Sequence, residues 1–99
     1  MPFPNQPLKG LNDREVEPYD GVSGCYAMTD ARWGVIYIGM GDIGAELRRY
    51  ANGANPAIAR LGPTHFLASI VQGETRERMH AREIALIREY RPPANDQHN

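Results

Sequence analysis

One cysteine, one lysine and no long hydrophobic run mark this sequence of 99 residues by what it lacks. A single cysteine, Cys25, excludes an internal disulfide framework. It sits in an apolar stretch, where it reads as a small buried hydrophobe rather than a nucleophile. A reducing, cytoplasmic setting is the expectation. No stretch reaches the roughly 18 consecutive apolar residues of a membrane helix. The Pro- and Asn-rich start carries no apolar signal-peptide core. The net charge is −1, which excludes a general electrostatic pull toward nucleic acid.

The distribution of charge says more. Residues 1–46 carry 7 acids and 3 bases, and residues 47–99 carry 5 acids and 8 bases, so the halves stand at −4 and +3. All bases but Lys9 are arginine, ten in number. A phosphate contact in the second half must therefore come from a guanidinium, which favours paired oxygens. Ordinary solvated helix faces would account for the same pattern.

The length suits one domain with one modest core. Residues 1–21, with Pro2, Pro4, Pro7 and Pro18, read as an irregular N-terminal arm that could pack through Phe3 and Leu8. Residues 22–99 read as the folded domain. Cys25–Thr29 and Val35–Ile38 are short β-type runs around a polar turn at Asp30-Ala31-Arg32. Asp42 is a candidate N-cap, with Ile43, Leu47 and Tyr50 following at helical spacing and Asn52-Gly53 ending the helix. Residues 54–63 form a loop with room for one turn. His65–Val71 is a third strand. Glu74–Tyr90 is the longest helix, with Ala81, Ile84, Ala85 and Ile87 as its expected apolar stripe and Pro92-Pro93 as its stop. The order β-β-α-β-α implies an α+β fold, a three-stranded antiparallel sheet flanked by helices.

Two features point to a site. With the hairpin turn at Ala31-Arg32, Tyr26 and Tyr37 lie opposite each other on one sheet face. A cross-strand aromatic pair that only stabilises the sheet is the plainer account. Gly24 and Gly39 favour a site, since a strand glycine often marks close approach by a ligand or another backbone. The second feature is "EIALIREYRPPAN", Glu83–Asn95. Glu83 borders the apolar stripe, where a carboxylate is costly unless it is paired or bound to a metal. Arg82 or Arg76 could pair with it. Asn95 follows a rigid Pro-Pro turn, which holds it against the body of the domain.

Gly24-Cys25-Tyr26, then Tyr37-Ile38-Gly39, then a helix, a strand and a helix with E-x-x-L-I-x-x-x-x-P-P-x-N resemble the GIY-YIG nuclease superfamily, most closely its excision-repair branch. The resemblance spans about residues 22–96. It implies a divalent-metal-dependent endonuclease acting on DNA phosphodiesters, with one Mg²⁺ or Mn²⁺ ion. It implies that Tyr26 and Tyr37 hold or activate the attacking water, that Glu83 binds the metal, and that Asn95 braces the site. Tyr50 falls where the family often has a Tyr or His, one turn beyond its catalytic arginine. Gly39 and His80 are candidate substrate contacts. A phenol titrates near ~10, so its phenolate costs about 4 kcal/mol at neutral pH, and a neighbouring group must offset this or the tyrosine only orients water.

Two positions depart from the pattern. Met40 stands where the repair branch has a lysine. The family arginine falls at Glu46, so Arg49, about 60° around the helix, is the expected phosphate contact, with Arg48 as runner-up. A catalytically degenerate module that grips nucleic acid or a partner protein without cutting is the alternative. A small interaction protein using the Pro-rich arm is a third reading, with Glu83 in an ordinary ion pair. The domain leaves little room for a recognition element, so specificity is expected from a partner protein, an oligomer or the substrate's shape. His65 and His98 carry no motif spacing.

Overall fold

Each of the helices opens on a side chain suited to cap it. Asn12, Asp42, Asn55 and Thr75 accept from backbone N–H groups of the first turn that would otherwise lack partners. The computed structural model describes residues 3, 6–71 and 73–95. The elements run β1 (Lys9–Gly10), α1 (Asp13–Val16), a 3-10 turn (Glu17–Tyr19), β2 (Ser23–Thr29), β3 (Val35–Asp42), α2 (Ile43–Ala51), α3 (Pro56–Leu61), β4 (His65–Ile70) and α4 (Arg76–Tyr90). His98 and the expected domain end at residue 99 lie outside the described residues.

The architecture is α+β, an antiparallel sheet flanked by helices, with strand order β1-β4-β2-β3. It has four strands where three were expected. The extra one is Lys9–Gly10, which pairs with Phe66 and His65 of β4. Two residues are too few to show alternation, so nothing local announces this strand. The stretch expected to be an irregular arm therefore contains β1, α1 and the 3-10 turn. It is also anchored: Phe3 and Val16 are both 3% exposed.

The sheet separates two apolar layers. Tyr26, Met28, Phe66 and Ala68 face α2 through Ile43 and Leu47. Cys25, Ala27, Ile38 and Leu67 face α4 through Met79 and Leu86. The α4 stripe differs from expectation. Ala81, Ile84 and Ala85 are exposed, and the buried face runs through Met79, Leu86 and the half-buried Arg82, Glu83, Ile87 and Tyr90. The sequence offers two apolar sets about 100° apart. The set with the bulkier residues wins, and the stems of Arg82 and Glu83 help cover the sheet.

The hairpin also differs in register. The connection is residues 30–34, held by the Asp30 carboxylate, which accepts from the backbone N–H of Arg32 and of Gly34 at 2.8 Å each. With this longer loop Tyr26 stands opposite Gly39, and Tyr37 opposite Met28. The shift from the expected pairing is two residues. An even shift preserves the faces, so the two tyrosines still share one side, as diagonal neighbours. Among the described residues no helix is long and apolar enough to cross a membrane.

Candidate functional site

β3 is an edge strand, and an unpaired edge needs cover. The chain after Pro92-Pro93 supplies it. Ala94 N–H donates to the Ile36 carbonyl at 3.0 Å. The Asn95 side chain brackets Ile38: its Oδ1 accepts from the Ile38 N–H at 2.8 Å, and its Nδ2 donates to the Ile38 carbonyl at 3.0 Å. One amide thus satisfies both outward backbone groups of the residue between Tyr37 and Gly39.

Tyr26 lies across Gly39. A β-carbon on Gly39 would stand 2.4 Å from the Tyr26 hydroxyl oxygen and 2.6 Å from its Cζ. The close approach expected of a ligand at Gly39 is therefore made by Tyr26, and Gly39 is itself buried. Gly24 has a similar reason: a β-carbon there would meet the Ser69 carbonyl oxygen of β4 at 2.3 Å. Tyr26 is fully buried, and its hydroxyl donates to Glu46 Oε1 at 3.0 Å. Burial first, and then the Glu46 charge, push its ionisation far above the ordinary phenol range. Tyr26 is a neutral donor, and the group it holds is Glu46.

Tyr37 and Tyr50 extend this cluster outward. The Tyr37 ring centroid is 6.3 Å from that of Tyr26 and 5.4 Å from that of Tyr50, the latter edge-on. Arg49 closes the outer end. Its Nη2 donates to the Tyr50 hydroxyl at 2.9 Å, its Cζ lies 4.9 Å from the Tyr50 ring centroid, and Nη2 is 3.5 Å from Glu46 Oε2. Arg48 points elsewhere. It is 2.5 Å from Asp13 and grips Asp20 through two nitrogens at 3.1 and 3.2 Å. Asp13 and Asp20 belong to the N-terminal segment, so Arg48 fastens that segment to α2.

Glu83 approaches from α4, in the layer on the other side of the sheet. Its side chain is 16% exposed, and its Oε1 lies 3.2 Å from His80 Nδ1. Neither arginine expected to pair with Glu83 does so. Arg82 turns to Glu74 at 2.7 Å, and Arg76 lines a nearby cavity with Met40, Glu77 and His80. Tyr37 feels both carboxylates: burial first, then Tyr50, Glu83 and Glu46, hold its hydroxyl above the usual phenol range. The Tyr26 hydroxyl is not turned to Glu83, because it is committed to Glu46.

No protein-family profile matches the chain, and no curated protein matches it. Solved structures do match. One is the crystal structure of the GIY-YIG N-terminal endonuclease domain of UvrC from Thermotoga maritima, an asparagine-to-alanine point mutant bound to its catalytic divalent cation. It is 23% identical to this chain, with a TM-score of 0.68, and the match covers 82% of this chain and 90% of that one.

The chain has the GIY-YIG nuclease fold. On that fold, Glu46 takes a place that its residue type alone does not announce. It departs from the family pattern, yet it accepts from one motif tyrosine and faces Arg49. The only signal was position: one turn after the Asp42 cap it must face the sheet it packs on. Met40, the second departure, lies beside Arg76 and His80, so no cation from β3 stands at that point.

Proposed function

We propose that this protein is a divalent-cation-dependent endonuclease that hydrolyses DNA phosphodiesters. One observation carries the reading: Tyr37 sits on an edge strand clamped by Asn95, in the layer that bears Tyr50, Arg49 and Glu46, and the charge of Glu83, from the helix on the other face, still reaches its hydroxyl. Similarity of fold to a nuclease domain that holds a catalytic divalent cation supports it. Glu83 suits a cation, since it is largely buried and no lysine or arginine among the described residues pairs with it. A cation there would neutralise charge on the phosphoryl and leaving oxygens.

The chain's own groups take the remaining roles. Arg49, exposed and already aimed at a hydroxyl oxygen, exchanges Tyr50 for a non-bridging phosphoryl oxygen. The Tyr37 hydroxyl, kept neutral by burial, and the Tyr50 hydroxyl orient the attacking water. Glu46, fixed by Tyr26, accepts the proton that this water loses. Tyr26 touches no substrate and acts as a positioning residue. Asn95 keeps the edge strand in place. DNA as substrate and the cytoplasm as setting belong to the same proposal.

The experiment is incubation of the purified chain with plasmid and branched DNA, with Mg²⁺, with Mn²⁺ and with a chelator. Cation-dependent nicking that is lost in Glu83→Gln, with unchanged thermal stability, is the expected result. Cation-independent binding without cutting, in wild type and variant alike, would replace it with the second reading, a binding module. The glutamate at the family arginine position is what favours that reading.

A further inference from the structure

The pair His80 and Glu83 is more than a surface contact. We propose that it is a two-ligand chelate for one first-row transition ion such as Mn²⁺, and that His80 makes Mg²⁺ the weaker occupant. The inference rests on Glu83 as the cation ligand of the proposed nuclease.

The geometry needs almost no adjustment. The two side chains stand one turn apart on α4, with His80 Nδ1 facing Glu83 Oε1 at 3.2 Å. Metal–nitrogen and metal–oxygen bonds of about 2.1 Å, met at angles of about 90–100°, separate the two ligand atoms by about 3.0–3.2 Å. The observed separation lies at that span. A plain hydrogen bond between helix neighbours has a similar length, so the surroundings decide. Glu83 is 16% exposed, and no lysine or arginine among the described residues pairs with it; a carboxylate buried with so little compensation is costly. Its uncompensated field reaches two layers: it is among the causes that raise both Cys25 and Tyr37. His80, by contrast, is 60% exposed and opens on a cavity of about 430 Å³ lined also by Met40, Arg76 and Glu77.

Glu83 does not line that cavity, so the rest of the ion's shell would come from its His80 side. Among the described residues no group of three or more His, Cys, Asp or Glu side chains could hold a metal, so two protein ligands leave the remaining positions to water and a phosphate oxygen. Arg76 stands on the cavity wall, where it can meet the same phosphate. The nitrogen ligand sets the preference. Affinity for a site with a nitrogen ligand rises along the first-row series from Mn²⁺ upward, whereas Mg²⁺ favours oxygen donors and keeps most of its water.

The test measures binding directly, by calorimetry and by the Mn²⁺ paramagnetic signal, on the full chain as wild type, His80→Ala and Glu83→Gln. Wild type is expected to bind Mn²⁺ more tightly than Mg²⁺. His80→Ala should weaken Mn²⁺ on the order of tenfold or more, since a ligand is lost, and leave Mg²⁺ unchanged. Glu83→Gln should abolish both. Unchanged Mn²⁺ affinity in His80→Ala, or no divalent binding by wild type, would overturn the chelate. Binding that depends on His80 without cleavage of any DNA keeps the chelate and removes the nuclease. Cleavage with Mn²⁺ affinity indifferent to His80 does the reverse.

Discussion

Replacing Gly39 with alanine isolates the contact on which the tyrosine cluster is built. In an ordinary strand the change would be favourable by about 0.5–1 kcal/mol, because glycine loses more backbone freedom on folding. Here the new methyl would stand 2.4, 2.6 and 3.0 Å from the Oη, Cζ and Cε1 of Tyr26. That ring is fully buried against Met28, Ile43 and Leu47, so it cannot step aside freely. Overpacking costs about 1–3 kcal/mol. If the ring shifts, its hydrogen bond to the Glu46 carboxylate goes too, another 1.5–3 kcal/mol or so. The net expectation is a loss of about 2–5 kcal/mol, or a Tm lower by about 10 °C or more for a chain of this size. Urea unfolding of a double-mutant cycle reads it. Tyr26→Phe should not relieve the Gly39→Ala penalty, since Cζ and Cε1 remain. Tyr26→Leu should relieve most of it. Gly39→Ala at wild-type stability or above, with Tyr26 intact, would refute the packing and the reason given for the glycine.

Three further outcomes are expected. Arg49→Ala should lower DNA turnover by about a hundred- to a thousand-fold, as for other preorganised donors to a developing charge, while Arg48→Ala should leave turnover and lower Tm by loosening the N-terminal segment; steady-state rates and melting curves side by side would show the opposite pattern if the roles are exchanged. Asn95→Ala should cost about 1–3 kcal/mol in urea unfolding, the penalty for stranding two backbone groups, and speed amide exchange at Ile38; unchanged exchange there would remove the clamp. Stability should fall as pH rises from about 9 toward 11: burial pushes the Cys25 thiol from 9.0 to about 11, so the unfolded chain releases that proton first and gains free energy from it. Cys25→Ala should flatten that part of an alkaline melting series.

The sequence made the frame of the fold legible and hid its details for identifiable reasons. The hairpin, α2 and β4 could be placed because Asp42 caps, the apolar residues recur at the right period, and glycine or proline bounds each run. β1 could not be placed, since two residues have no period and their pairing with β4 spans more than fifty residues of chain. The face of α4 was misassigned because Met79, Leu86 and Ile87 compete with Ala81, Ile84 and Ala85, and only the shape of the sheet chooses between them. The tyrosines were put on the correct face but two residues out of register, because a five-residue loop reads as a short turn when Asp30's backbone bonds are unseen. At the proposed site, motif and spacing single out Glu83 and Asn95, and the structure adds that Asn95 bridges Ile38 and that Glu83 is largely buried beside His80. Arg49 and Arg48 could be told apart only once Asp13 and Asp20 were known to hold the latter.

The site's location follows from the layers. Tyr26, Tyr37, Tyr50, Arg49 and Glu46 belong to the face covered by α2, and Glu83 to the helix on the other face. In the middle of a sheet such groups could never act on one phosphate, since about 10 Å of packed backbone and side chains separates facing layers. They can do so only past a sheet edge, where nothing lies between them. β3 is such an edge, and Tyr37 on it feels carboxylates from both layers. Under the proposed function such an edge must stay uncovered for the substrate and yet not pair with a stray strand. A full fifth strand would close it. Asn95 resolves the conflict by satisfying the two outward groups of Ile38 with one side chain, which leaves the neighbouring Tyr37 only half-buried.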